Sequence, residues 1–222
     1  MSTLAILPIK TFAEAKQRLR TDLSADDRRS LVEAMFCDVL VALRRVPALD
    51  GIVVVSGDHS AQRIAGGYGA TVVEDDERGH NPAAARGVRV ALESGARRAL
   101  LVPGDCPAAD PRELEGLLAH SAGKHSALIV PDRHGTGTNA LLLTPPDALA
   151  PSFGPDSRRR HLANATAAGV AAEIVDVPSL GFDVDTPDDL VALQRRLDTT
   201  HGAAAHTRGM LSQLTRPRTE GR

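Results

Sequence analysis

Short apolar runs alternate along this chain with segments in which apolar residues recur at helical spacing. Leu31, Met35, Val39 and Leu43 repeat every four positions after Ser24, which predicts a helix that lays one face on a core. Shorter, continuous apolar runs are typical of buried strands. On this basis strands are predicted at 4–9, 51–55, 71–73, 99–102, 127–130, 140–143 and 173–177, and helices from 24, after 58, over 81–93, from 111, over 157–168 and over 186–197.

The alternation of apolar strands and amphipathic helices predicts an α/β fold with a mostly parallel sheet and helices on both faces. In such sheets ligands bind outside the carboxyl ends of the strands. The periodic pattern stops near Thr199, after which His, Gly, Ala, Thr and Arg dominate. We therefore predict one domain over residues 1–198 and a flexible tail over residues 199–222.

The composition argues against several classes of binding partner. The formal net charge is −2 and aromatic residues make up only 2% of the chain, so neither a polyanion surface nor a base-stacking platform is indicated. No apolar run has membrane-spanning length, and no basic leader segment precedes the first strand. Cys37 and Cys106 lack metal-type spacing. We expect a cytoplasmic protein with reduced thiols that binds neither nucleic acid nor membrane.

Lysine is scarce, which draws attention to where it occurs. The chain has 23 arginines and three lysines, and two of these, Lys10 and Lys16, lie just after the first strand. A lysine ammonium is a compact charge on a flexible stem, which suits a phosphate in a tight site. The alternative is that both are solvated charges on a loop.

Three aspartates indicate a site for a hard cation. Asp105 follows the buried strand at 99–102, and Asp183 and Asp185 lie two positions apart before a helix. Carboxylates at such strand ends can hold Mg²⁺ over a bound phosphate. The alternatives are a turn role for Asp105 and helix capping by Asp185 or Thr186, although capping explains Asp183 poorly.

Two further segments could bind a small anion. Residues 135–140 form a Gly- and Thr-rich stretch that lacks the P-loop lysine, and Ser157 is predicted to cap a helix whose N–H groups would face an anion. A plain turn and an ordinary capped helix are the alternatives. The histidines show no metal-ligand spacing; His80 is interpreted as a surface or loop residue, and His161 as a residue on the exposed face of the helix that starts at Ser157.

Five of these segments, taken in order, resemble the guanylyltransferases of coenzyme F-420 biosynthesis. They are Pro8-Ile9-Lys10 with Lys16, Gly104-Asp105, Gly137 to Ala140, Phe153-Gly154 with Ser157, and Asp183 to Pro187. The resemblance spans residues 5 to about 197 and implies a Rossmann-like nucleotidyltransferase fold. Cys106 and His80 depart from the family, which usually has aliphatic residues there, but neither removes a charged group.

The resemblance implies a role for each matching residue. Lys10, Lys16 and Asp105 would be catalytic, and Asp105, Asp183 and Asp185 would hold Mg²⁺. The phospho-acid would be bound by Thr138, Asn139, Gly154 and Ser157. The nucleotide would be bound by Pro8, Lys10, Lys16, Gly57, Asn81 and Gly104.

The reaction implied is attack by the phosphate of a three-carbon phospho-acid on the α-phosphorus of GTP, with release of pyrophosphate. The Arg- and Ala-rich composition favours phosphoenolpyruvate over 2-phospho-L-lactate and 3-phospho-D-glycerate by association only. The resemblance is also compatible with a homodimer and with hand-off of an unstable product to the next pathway enzyme. A molybdopterin-type guanylyltransferase, or another nucleotidyltransferase of this fold, and a non-catalytic nucleotide-binding regulator remain alternatives.

Overall fold

The computed structural model describes residues 2–76, 79–120, 123–200 and 202–214. Strands are β1 (Thr3–Pro8), β2 (Gly51–Ser56), β3 (Thr71–Glu74), β4 (Arg98–Leu101), β5 (Ser126–Pro131), β6 (Thr138–Thr144) and β7 (Ala171–Ile174). Helices are α1 (Ala25–Arg44), α2 (His59–Gly67), α3 (His80–Glu93), α4 (Pro111–Ala119), α5 (Ser157–Ala168), α6 (Pro187–Thr199) and α7 (Ala205–Leu214).

The strands form a single seven-stranded sheet in the order β3-β2-β1-β4-β6-β5-β7. All neighbours are parallel except β6, which runs antiparallel to both β4 and β5. The predicted α/β class with a mostly parallel sheet is confirmed. The chain leaves β1 towards β2 on one side and returns to β4 on the other, so the carboxyl ends of β1 and β4 border the point where the strand order reverses.

Apolar residues pack on both faces of the sheet, as the continuous apolar runs require. On one face α1 contributes Leu31, Met35, Val39 and Leu43, all at most 1% exposed. On the other face α3 lies so close that a Cβ at Gly87 would overlap with Cγ2 of Ile6. This close approach brings the start of α3 to the carboxyl end of β1.

The boundaries of the predicted elements differ from the structure by up to about three residues, and the largest shift is in the last strand. The last strand is predicted at 173–177, but β7 runs over Ala171–Ile174 at the sheet edge, where it pairs with β5 and leaves Ile174 44% exposed. An edge strand buries little, so its apolar pattern is weak. Helix α6 begins at Pro187 as the proline predicts, and continues to Thr199.

The predicted flexible tail is wrong for residues 202–214, which contain α7 packed against α1. Leu211 and Ala204 are 6% exposed within the main core, and the buried Asp38 of α1 accepts hydrogen bonds from the backbone N–H groups of His206 and Thr207 (3.0 and 2.7 Å). A helix that contributes so few apolar residues gives little periodic signal. Residues 215–222 lie outside the described part.

None of the helices in the described ranges combines the length and apolar character needed to cross a lipid bilayer.

Candidate active site

A cleft lies at the carboxyl ends of β1 and β4. It consists of three adjoining cavities of about 300, 180 and 390 Å³, and Pro8, Lys10 and His80 line all three. The first cavity extends to Lys16, Asp105 and Asp185, and the third extends to Asp183 and the start of β6. Segments that are distant in sequence therefore meet at the predicted position in the sheet.

The loop after β1 is held in place by one aromatic side chain and one carboxylate. Phe12 is 1% exposed and packs edge-to-face on Phe36 of α1, with ring centroids 5.8 Å apart. Its backbone N–H donates to Asp58 Oδ2 at 2.9 Å, while Asp58 Oδ1 caps α2 through Ser60 and Ala61. These contacts fix the loop on which both lysines lie.

Lys16 lies between two of the predicted metal ligands. Its ammonium forms ion pairs with Asp105 and with Asp185, the latter at 2.7 Å from Nζ to Oδ1, and its side chain is only 7% exposed. Its backbone adopts the left-handed conformation with φ of 55°, which is uncommon for a residue other than glycine. Burial alone would lower the pKa of this ammonium, but the two carboxylates outweigh burial and raise it. Lys16 therefore stays charged.

The acids before α6 are not used as helix caps. Thr186 is the N-cap and forms a capping box with Asp189, so capping is completed without the side chains of Asp183 or Asp185. Asp183 Oδ1 accepts a hydrogen bond from Asn139 Nδ2 at 3.1 Å, and Asn139 also donates to the Leu180 carbonyl at 2.7 Å. Asp183 and Asp185 are thus available to the cleft.

The donor set suits a hard divalent cation. Asp105 Oδ1 is buried and has no hydrogen-bond partner in the described part of the chain, which is unusual for a carboxylate oxygen. Within those ranges no three His, Cys, Asp or Glu side chains are grouped so that they could hold a metal ion, and the Lys16 ammonium pairs with both Asp105 and Asp185. The oxygen ligands that Mg²⁺ prefers are present, and a cation would have to displace the lysine contact.

The pKa of Asp183 is raised to about 6, first by burial and then by the nearby charge of Asp105. The folded state therefore binds this proton more tightly than the unfolded chain. The stabilisation that the proton provides is present below pH 4 and is lost as the pH rises through 6.

We expect Asp183→Asn, measured with a metal chelator, to raise the free energy of unfolding at pH 7.5 by up to about 3 kcal/mol. The same variant should match the wild type near pH 4, where Asp183 is protonated. Thermal unfolding at both pH values measures this. If Asp183→Asn were less stable than the wild type at pH 7.5, this would contradict the raised pKa of Asp183.

The residues predicted to bind the phospho-acid are only partly brought together. Thr138, Asn139 and Gly154 line the third cavity, next to Lys10 and Asp183. Ser157 does not line any of the three cavities and is 1% exposed. It is the first residue of α5 rather than its N-cap, because the turn ends at Asp156 with φ of 54°. The predicted capping role of Ser157 is wrong.

The residues predicted to bind the nucleotide also divide into two groups. Pro8, Lys10, Lys16 and Gly104 line the first cavity. Gly57 and Asn81 line none of the three. Asn81 instead holds the Phe153 loop, since Nδ2 donates to the Phe153 carbonyl (3.1 Å) and Oδ1 accepts from the Phe153 N–H (2.7 Å).

Two histidines interpreted from the sequence as surface residues belong to the site. His80 lines all three cavities, and burial lowers its pKa, so it is neutral at pH 7. His161 is fully buried and contacts Thr138. The position of His80 at the start of a helix after Gly79 was a usable signal, whereas nothing in the local pattern marks His161 as buried.

Comparisons with known proteins agree with this geometry. The family model described as "Guanylyl transferase CofC like" matches residues 3–216. A phosphoenolpyruvate guanylyltransferase of Conexibacter woesei is 52% identical over 97% of this chain and 98% of its own length. A 3-phospho-D-glycerate guanylyltransferase of Colwellia psychrerythraea is 33% identical over 87% of this chain and 91% of its own length.

The fold has relatives among solved structures as well. A nucleotidyl transferase from Methanothermobacter thermautotroptrophicus superposes with a TM-score of 0.62 at 18% identity, covering 88% of this chain and 97% of the other. At that identity the likeness concerns the fold alone, and it confirms the Rossmann-like nucleotidyltransferase architecture. The family model spans the sheet, the cleft and α7, and on that evidence, together with the relative of 52% identity, this chain belongs to the CofC-like guanylyltransferase family.

Proposed function

We propose that the chain transfers GMP from GTP to the phosphate of a three-carbon phospho-acid, releases pyrophosphate, and does so in coenzyme F-420 biosynthesis. Phosphoenolpyruvate is the substrate we favour, because the relative with 52% identity carries that name. 2-Phospho-L-lactate and 3-phospho-D-glycerate share its carboxylate and phosphate groups and are the competing acceptors. The enzyme would work in the cytoplasm.

The observation that supports this most is the division of the cleft. One side has Lys16 and Gly104, and the other has the polar groups of Thr138 and Asn139 with the exposed backbone of Gly154. Lys10 lines both sides. The acids Asp105, Asp183 and Asp185 lie between them. Two anionic substrates would meet there, one on each side of the carboxylates.

The proposed chemistry needs no general base. A phosphate monoester is already ionised near neutral pH, so its oxygen can attack the α-phosphorus without losing a proton to the protein. The barrier instead comes from repulsion between anions and from alignment of the attacking and leaving oxygens. His80, which lines all three cavities, is held neutral by burial and is not required as a base.

The chain's own groups would supply alignment and positive charge. Lys10 is exposed and forms no ion pair within the described ranges, so its ammonium is available to the triphosphate. Lys16 would leave Asp185 and move onto the nucleotide phosphates, while Asn139 keeps Asp183 turned into the cleft. Mg²⁺ on Asp105, Asp183 and Asp185 would supply further neutralisation of the phosphates.

Pyrophosphate release tests the proposal. The protein would be incubated with Mg²⁺, each of GTP, ATP and CTP, and each of the three phospho-acids in turn. We expect release only when a nucleotide and a phospho-acid are both present, with GTP and phosphoenolpyruvate the fastest pair. GTP binding without release under any combination would favour a regulatory protein, and release with a different acceptor would reassign the substrate.

A further inference from the structure

The buried imidazole of His161 connects three segments behind the phospho-acid side of the cleft. Nε2 accepts a hydrogen bond from the backbone N–H of Ser152 at 2.9 Å, and Nδ1 lies 3.0 Å from the Thr138 hydroxyl oxygen. The ring also packs edge-to-face on Phe153, with centroids 5.2 Å apart. His161 is 0% exposed, so its polar contacts are made entirely within the protein.

These contacts determine which ring nitrogen carries the proton. A backbone N–H can only donate, so Nε2 must offer its lone pair to Ser152. Burial and the neighbouring charge of Arg160 lower the pKa of His161 to about 4, which keeps the ring neutral at pH 7. A neutral ring with a bare Nε2 carries its single proton on Nδ1, and this proton is donated to Thr138.

The direction of that hydrogen bond determines what Thr138 can do. Its hydroxyl oxygen accepts from His161, so its own hydrogen is left to donate elsewhere. Within the described ranges no protein acceptor for that hydrogen is present, and Thr138 lines the cavity that also contains Lys10 and Gly154. An anion in that cavity could accept a hydrogen bond from this hydroxyl.

We propose that His161 is a positioning residue that holds the Thr138 hydroxyl as a hydrogen-bond donor to the anionic groups of the phospho-acid. The inference rests on the proposed function for the identity of the ligand. The proton position on the ring, by contrast, is a property of the protein alone. His161 itself would not touch the substrate, and its effect would be transmitted through Thr138.

Matched variants separate this role from packing. His161→Gln can present an oxygen near the Nε2 position to Ser152 but offers Thr138 no donor at Nδ1. His161→Asn does the reverse, because its amide N–H lies near the Nδ1 position and nothing replaces Nε2. Thr138→Val removes the hydroxyl at nearly constant volume on a strand that tolerates valine.

For phosphoenolpyruvate we expect Thr138→Val and His161→Gln each to raise KM about 10-fold or more, as for a lost hydrogen bond to a charged group. In both variants the KM for GTP should stay within about 2-fold of the wild-type value. In His161→Asn the KM for phosphoenolpyruvate should stay close to the wild-type value. The double variant of Thr138→Val with His161→Gln should have the same KM for phosphoenolpyruvate as Thr138→Val alone, because both substitutions remove the same interaction. Effects that multiply, or an Asn variant as impaired as Gln, would overturn the proposal.

Nitrogen-15 NMR of the histidine rings in the wild-type protein gives a test that needs no substrate. We expect His161 to carry its proton on Nδ1 with Nε2 bare across the neutral range, and a proton on Nε2 would overturn the proposal even if every variant failed to fold. If the wild type released no pyrophosphate with any phospho-acid, the proposed function would fail, whereas the NMR result would still decide the orientation of the Thr138 hydroxyl.

Discussion

Replacing Asp105 by asparagine should reduce pyrophosphate release at least about 100-fold while the protein remains folded. Asp105 follows β4, where the substrates would meet; one of its oxygens is buried without a hydrogen-bond partner among the described residues, and the other pairs with Lys16. If Asp105 holds Mg²⁺ against the phosphates as proposed, its loss would cost several kcal/mol of transition-state stabilisation, and each 1.4 kcal/mol is about a factor of ten in rate. Turnover at saturating GTP and phosphoenolpyruvate measures this effect.

Asp188→Asn is the matched control. Asp188 lies three residues from Asp185, is exposed on the first turn of α6, and lines none of the three cavities. It should keep near-normal turnover, which separates loss of a ligand from loss of one unit of negative charge. A folded Asp105→Asn variant with more than about a third of the wild-type rate would exclude Asp105 as a metal ligand.

A chain that ends at Thr200 should lose about 10 °C or more in melting temperature. Removal of α7 exposes the main core where Ala204 and Leu211 pack, and it takes away both backbone donors of Asp38. Loss of one buried leucine side chain alone costs about 2–5 kcal/mol, and for a chain of this size each kcal/mol shifts the melting temperature by about 2–4 °C. Thermal unfolding by circular dichroism measures the shift.

Point variants within α7 show whether packing is responsible. Leu211→Ala should reproduce part of the loss, since its side chain is 6% exposed, whereas Gln213→Ala, on the exposed face of the same helix, should leave the melting temperature unchanged. If truncation at Thr200 left both stability and turnover intact, residues 199–222 would behave as the tail that the sequence pattern suggests.

The central strands of the sheet were predictable because they are buried on both faces. A strand such as β2, with five consecutive buried residues, can be recognised in the sequence as a continuous apolar run. Helix α7 is different, since only Thr207 and Leu211 of its ten residues are buried and its docking depends on Asp38, 168 residues away from His206. A contact of that kind leaves no local periodicity, and the segment was therefore misread.

The site was predictable in part, because the functional residues of a mostly parallel sheet lie near the carboxyl ends of its strands. Asp105 and Lys10 were located from their positions after apolar strands, and Asp183 from its spacing with Asp185 before a helix; the structure brings them to one cleft. The pairing of Lys16 with Asp105 and Asp185 was not foreseen, because it depends on a left-handed backbone and a buried Phe12 that no single residue reveals. The contacts of Asn81 and His161 with the loop around Phe153 were not foreseen for the same reason, since neither contact leaves a signal in the local sequence pattern.

The most direct test of the account follows one oxygen atom. Phosphoenolpyruvate labelled with ¹⁸O in its phosphate would be incubated with the wild-type protein, GTP and Mg²⁺, and the products examined by ³¹P NMR and mass spectrometry. The account predicts a diphosphate that joins GMP to the phospho-acid, with ¹⁸O in the bridge and unlabelled pyrophosphate released. Formation of GDP, label in the pyrophosphate, or no joined product with any of the three phospho-acids would contradict it.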